Sequence, residues 1–334
     1  MQPDWFTQAV QTRPQEHQID IPGGRTWCSY WPAEVESDEL LVLVHGTGAH
    51  RCWWDFISPL LSGEQHVLAG DLSGMGDADH QDDYGTEKFA GEVLEWISLG
   101  RRLSGARRVR LLGHSMGGFV CMWVAQKQPD LLDSLIVVDS PIRPPDYDYE
   151  NHISSAPIRR RKVYPDRASA LQRFRLTPTQ ECENRFIIDY IAERSIAQVD
   201  AWGRRVDDVA RGDGGGADEG EGEHLGESGF TWKFDDGLMG KVMRHERDRI
   251  KPPAELRPLM HYVYGNLSVL VEGGVLAHVE NLLPAGRVIA IEDAAHHVFL
   301  DKPLEFVDLV RRLLQADREA SAAGDAPAAA EIAD

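Results

Sequence analysis

The chain has 334 residues, 42% of them apolar, which is enough for one large domain carrying an insert or for two smaller domains. Its formal net charge is -19, and more than half of that sits in two stretches: residues 212–229 hold six acids and no Lys or Arg, and residues 315–334 hold five acids and one Arg. So acidic a chain is not built to hold nucleic acid or an anionic membrane surface, and small molecules are its expected partners.

The first twenty residues contain no apolar stretch of signal-peptide length, and no run elsewhere reaches the ~20 apolar residues of a membrane span. The cytoplasm is therefore the expected location. Cys28, Cys52, Cys121 and Cys182 lie 24, 69 and 61 residues apart, with no C-x-x-C pair and no histidine at zinc-site spacing. They are expected to be reduced thiols, and no metal site or organic cofactor is expected.

In chain order, an antiparallel hairpin is predicted first, from His17 to Ile21 and Thr26 to Trp31 around Gly23-Gly24. Nearly continuous apolar runs then predict strands buried on both faces at Glu39–His45, His66–Asp71, Arg108–Gly113, Ser134–Asp139, His261–Gly265 and Arg287–Glu292. Between and after them, Thr86–Leu103, Met116–Gln126 and Leu304–Leu314 place apolar residues at helical spacing. This alternation predicts an α/β fold, a mostly parallel sheet with helices on both faces. The core is assigned to residues 1–140 and 254–315.

The alternation breaks between residues 141 and 253, where Arg-rich helical stretches replace strand patterns, and this segment is read as an inserted helical cap. Within it, residues 212–229 hold eight glycines and one large apolar residue, too little burial to offset ordering entropy, so a flexible loop is expected there. Arg159, Arg160, Arg161, Lys162, Arg167, Arg173 and Arg175 make the early cap basic, as either a solvated helix face or a surface for an anionic substrate. The Ala-rich tail 316–334 has no apolar face and is expected to be disordered or a frayed helix.

The strongest chemical signal is Gly113-His114-Ser115-Met116-Gly117, a G-x-S-x-G between a strand and a helix. So sharp a turn needs glycine at its flanks and holds the serine strained and exposed at a helix N-terminus, which makes Ser115 the candidate nucleophile. A tetrahedral intermediate needs two N-H donors, one from the residue after the nucleophile and one from the loop after an earlier strand. Met116 and Thr47, the latter in His45-Gly46-Thr47-Gly48, fit those places. A serine also needs an imidazole to take its proton. His296, in the loop after the last strand, is preferred over its neighbour His297. Gly70–Gly76 is glycine-rich but lacks the lysine of a phosphate loop and reads as a turn, while Trp53 and Trp54 read as helix packing or as an acyl-pocket wall.

With VLVHGTGAHRCWWDFISPLL, AGDLSGMGDADH, LLGHSMGG and DAAHHVFLDKPLEF in place, the chain resembles the α/β-hydrolase superfamily, in its capped lipase, esterase and C-C hydrolase branch. The resemblance covers about residues 17 to 315 and implies an eight-stranded sheet, a Ser-acid-His order and a catalytic role for the first histidine of the pair, His296. The family usually carries its acid three residues past the glycine that ends the strand HYVYG, but that position here is Ser268. Some members place the acid one strand earlier, which makes Asp139 the candidate, with Glu272 second.

The expected function is hydrolysis of a carboxylic ester through an acyl-enzyme. A thioesterase or C-C hydrolase would use the same groups, and the missing acid at Ser268 leaves room for a non-catalytic ligand-binding homologue.

Overall fold

The computed structural model describes residues 2–145, 162–201, 205–206, 228–238 and 259–322. Its main sheet has eight strands: β1 (Gln15–Ile21), β2 (Gly24–Trp31), β3 (Glu39–Val44), β4 (His66–Gly70), β5 (Arg108–His114), β6 (Ser134–Val138), β9 (Leu259–Gly265) and β10 (Val288–Ile291). They lie in the order β1-β2-β4-β3-β5-β6-β9-β10, and every pairing from β4 onward is parallel, while the β1–β2 hairpin and the β2–β4 pair are antiparallel. Each strand predicted from its apolar run is present, and the hairpin lies at the sheet edge as expected.

Strand β3 shows how the sequence builds two cores. Successive side chains of a strand point to opposite faces, so Leu40, Val42 and Val44 enter one apolar cluster and Leu41 and Leu43 enter the other. On the first face pack α3 (Thr86–Ser104) through Phe89, Val93 and Trp96, α4 (Met116–Lys127) through Val120 and Val124, and α7 (Gly274–Leu282) through Val275 and Val279. The second face takes α1 (Asp4–Gln11), α2 (Ser58–Leu61), α8 (Val298–Asp301) and α9 (Pro303–Ala322), with Phe6, Leu61, Phe299 and Phe306 at its centre. Each such side chain, fully buried, contributes roughly 1.5–3 kcal/mol. Sequence reasoning passed over α1, although Trp5, Phe6 and Ala9 already mark an apolar face.

The segment 141–253 differs from an all-helical insert in its described part. It holds α5 (Arg167–Leu171) and α6 (Arg185–Arg194), but also β7 (Ile196–Val199) and β8 (Gly229–Trp232), which pair antiparallel in a separate two-stranded sheet. Four-residue strands give too short an alternation to be read against helical flanks. The insert is fastened to the turn after β4, where Gly76 N donates to Lys233 O (2.8 Å) and Asp235 N to Gly74 O (2.7 Å). The Gly-rich stretch 212–229, apart from its last two residues, and the basic run Arg159–Arg161 lie outside the described residues.

Helix α9 corrects the expected tail boundary, since it continues past residue 315 to Ala322. What holds its last turns is charge rather than an apolar stripe. Arg318 Nε donates to Glu39 Oε2 at 2.8 Å, and that buried carboxylate also receives Arg110 at 2.7 Å. Asp317, buried too, lies 3.0 Å from Nε2 of His261 on β9. Residues 323–334 are outside the described chain.

Candidate active site

Ser115 stands between β5 and α4 with φ 55 and ψ -119, a backbone conformation costing about 1–3 kcal/mol in a residue with a side chain. The surroundings hold it there. Ser115 N donates to Val138 O (2.8 Å), and its carbonyl accepts from Gly118 N (3.1 Å) and Ser140 Oγ (2.6 Å). Gly117 is required because a β-carbon there would collide with the carbonyl oxygens of Val44 and His45, so the first turn of α4 lies directly on the end of β3. The Ser115 amide is spent on β6, whereas the next amide, that of Met116, opens a helix, where intrahelical acceptors are missing.

The loop after β3 comes against the same serine. A β-carbon on Gly46 would lie 3.1 Å from Ser115 Cβ, and Thr47 Oγ1 donates to Met116 Sδ at 3.3 Å. Thus Thr47, Ser115 and Met116, picked from separate stretches of sequence, are neighbours in space. His45 anchors the loop: its Nδ1 donates to Gly46 O (2.8 Å) and its Nε2 accepts from Leu72 N (3.0 Å). Both ring nitrogens are therefore occupied, and burial holds its pKa below the usual imidazole value. The Gly70–Gly76 stretch is a turn locked by buried Asp71, which accepts from Arg51 N (2.6 Å), Asp77 N (2.9 Å) and the Arg51 guanidinium.

Asp139 follows β6, with φ 50, and is wholly buried. Its Oδ1 accepts from His296 Nδ1 (2.7 Å) and from Ser268 Oγ (2.6 Å), and its Oδ2 from Gly265 N (3.0 Å). The structure therefore brings Asp139 and His296 together, and it leaves Glu272 exposed on the loop after β9. The serine that replaces the usual acid is a hydrogen-bond donor to the acid that is present.

His296, 2% exposed, is part of a cluster of buried imidazoles. His114 Nε2 donates to His296 O at 3.0 Å, and the two rings lie 4.6 Å apart. The ring of His297 lies 4.8 Å from that of His296 and 5.5 Å from that of Trp53. Burial first, and then the proximity of His296, push the pKa values of His114 and His297 well below the usual imidazole range. Trp54 packs on Phe299 in the core, so of the two tryptophans only Trp53 faces the histidines.

Gln180 and Asn184, which sequence reasoning did not single out, reach this loop from the insert. Gln180 accepts from His297, and Asn184 Nδ2 donates to Leu300 O (2.8 Å) and Asp301 O (3.0 Å). Gln180 also borders a cavity of about 280 Å³ together with Phe174, Leu176, Cys182 and Ile188. Among the described residues no group of three or more His, Cys, Asp or Glu is arranged to hold a metal ion, and no helix is long and apolar enough to cross a membrane. All four cysteines are free thiols.

A family model described as the alpha/beta hydrolase fold matches residues 39–177. The pimeloyl-[acyl-carrier protein] methyl ester esterase of Aeromonas hydrophila subsp. hydrophila is 25% identical over 284 residues, covering 82% of this chain and 94% of that protein. Among solved structures, an E-2-(acetamidomethylene)succinate hydrolase superposes with a TM-score of 0.65 at 18% identity, covering 90% of this chain and 99% of the other. The thioesterase domain from the curacin biosynthetic pathway does so with a TM-score of 0.63 at 17% identity, covering 89% and 99%. The strand order and the family match over residues 39–177 agree that the chain has the alpha/beta hydrolase fold.

Proposed function

We propose that this hydrolase cleaves a carboxylic ester through an acyl-enzyme on Ser115, with His296 as base and acid and Asp139 as the carboxylate behind it. The observation that carries the reading is the 2.7 Å contact between His296 Nδ1 and Asp139 Oδ1, where Asp139 directly follows Val138, the residue whose carbonyl holds the amide of Ser115, itself at φ 55. A carboxylate on Nδ1 fixes the imidazole with its other nitrogen unprotonated and stabilises the imidazolium that forms in the transition state.

In acylation, Ser115 Oγ attacks the ester carbonyl carbon while His296 Nε2 takes the hydroxyl proton. The electron pair pushed onto the carbonyl oxygen is received by the N-H groups of Thr47 and Met116. Collapse expels the alcohol, which takes its proton from His296. Water then repeats the sequence on the acyl-enzyme and releases the carboxylic acid. The described part of the insert acts as a cap on this site, supported by the bonds from Gln180 and Asn184 to the histidine loop.

Support for an ester comes from the Aeromonas hydrophila esterase, which aligns over most of both chains. Thioesters and vinylogous diketones would meet the same groups, so the test is a panel of acyl p-nitrophenyl esters, acyl thioesters and vinylogous diketones. The ester reading requires the highest kcat/KM on an ester and its loss in Ser115→Ala. A higher kcat/KM on a thioester or a diketone would move the assignment to that bond.

A further inference from the structure

Two histidines stand side by side in one buried loop, His296 at 2% exposure and His297 at 3%, and only one of them can serve as the base. Their surroundings differ most plainly at the acceptor for Nδ1. His296 faces the carboxylate of Asp139, whereas His297 faces the side-chain amide of Gln180 at 2.8 Å.

The orientation of that amide follows from its partners. Its oxygen also accepts the backbone N-H of His297 at 2.9 Å, and its nitrogen donates to Asp301 Oδ2 at 2.9 Å, a carboxylate oxygen that can only accept. Nδ1 of His297 must then carry a proton and donate it. The same Asp301 oxygen receives Ala295 N at 2.8 Å, so Gln180 is bonded directly to His297 on one side of His296 and linked through Asp301 to Ala295 on the other. An amide can orient an imidazole, but it lacks the charge with which a carboxylate stabilises an imidazolium.

Resting on the Ser115–His296–Asp139 reading, we propose that Gln180 is a positioning residue supplied by the insert. It holds His297 as the neutral Nδ1-H tautomer and pins the loop, so that the base, and the positive charge formed in the transition state, belong to His296 alone. The depressed pKa values of His297 and His114 agree with those two rings being uncharged at rest. Because Gln180 lies 117 residues from His297 in sequence and belongs to the insert, alignment of the base is coupled to docking of the cap.

The test compares Gln180→Met, which removes the acceptor and the donor, with Gln180→Glu, which keeps the acceptor and adds charge. The readouts are steady-state kinetics on a short-chain ester, thermal melting, and ¹⁵N-histidine NMR of ring tautomers at pH 7. The Met variant should lose its Nδ1-H signal from His297 and at least ten-fold in kcat, with KM within two-fold. The Glu variant loses the donor to Asp301 and sets a second carboxylate against it, so it should fold with a lowered melting temperature, show His297 as imidazolium and have a kcat also at least ten-fold down, because a fixed charge opposes a second one on His296. A kcat within two-fold of wild type in either folded variant overturns the proposal, as does a neutral wild-type His297 with its proton on Nε2. If Gln180→Met does not fold, the Glu variant alone decides. Failure of the underlying reading is distinguishable, since Ser115→Ala would then retain activity whatever Gln180 does.

Discussion

The hydroxyl of Ser268 lies 2.6 Å from Oδ1 of Asp139, the same oxygen that His296 Nδ1 reaches at 2.7 Å. Ser268 follows β9 and Asp139 follows β6, so two neighbouring strand ends converge on one point behind the imidazole. A carboxylate placed on either strand end could serve the histidine.

Removing the carboxylate but keeping the shape should therefore be costly. Asp139→Asn is expected to lower kcat by about 10³ to 10⁴, as loss of a triad aspartate does elsewhere, while Glu272→Gln changes it less than about ten-fold. Steady-state kinetics with one short-chain ester, and circular dichroism to check folding, measure this. Asp139→Asn activity near wild type, with Glu272→Gln impaired, would transfer the acid role to Glu272.

The convergence itself is testable by moving the acid. In Asp139→Ser/Ser268→Asp the carboxylate starts from β9 and the hydroxyl from β6, with the hydrogen bond between them kept in reverse. The double variant should recover at least about ten-fold in kcat over Asp139→Ser alone, a small part of the 10³ to 10⁴ that a triad aspartate supplies. No recovery in a folded protein would show that position 268 does not point its side chain at His296 closely enough to replace Asp139.

The strand-end positions of Ser115, the Thr47 loop and His296 were legible in the sequence because each lies in a short motif tied to a strand end. Asp139 was legible only through an absence, the serine at 268, since nothing local separates it from a structural aspartate closing a strand. Gln180 could not be read, because a glutamine in an insert carries no periodic signal and its partner lies 117 residues away. The last turns of α9 were lost for a related reason. Apolar periodicity marks helices that bury hydrocarbon, whereas Asp317 and Arg318 are held by His261 and Glu39.

Those end-of-helix contacts have a measurable consequence. Compared with a chain ending after Ala322, one ending at Gln315 strips Glu39 of a partner and His261 of its carboxylate, and should unfold at a lower urea midpoint. Removing one partner of a buried ion pair costs about 3–5 kcal/mol, and Arg318 is partly exposed, so a loss of about 1–3 kcal/mol is expected for Arg318→Met. Equal midpoints for the two truncated chains would show that the helix end contributes nothing.

Glu92, on α3, gives the fold a pH dependence. It accepts from Ser73 N (2.8 Å) and Ser73 Oγ (2.5 Å), and burial raises its pKa from 4.5 to about 7 despite those bonds. The folded state thus binds the proton more tightly than the unfolded one. Its contribution is fully present below pH 4.5, is lost as pH rises toward about 7, and stays lost above. At 1.36 kcal/mol per unit this is on the order of 3 kcal/mol. Urea unfolding at pH 5 and pH 8 should show Glu92→Gln gaining stability over wild type at the higher pH. An equal difference between the two proteins at both pH values would contradict the assignment.

The central claim, that Ser115 is a nucleophile activated by His296, is tested most directly by intact and peptide mass spectrometry after exposure to a fluorophosphonate. One adduct per chain is expected, on the peptide containing Ser115, with no labelling of Ser115→Ala and labelling at least about ten-fold slower in His296→Gln, since the serine then has no base to take its proton. An adduct on another residue, or wild-type protein left unlabelled while it hydrolyses an ester, would contradict the account.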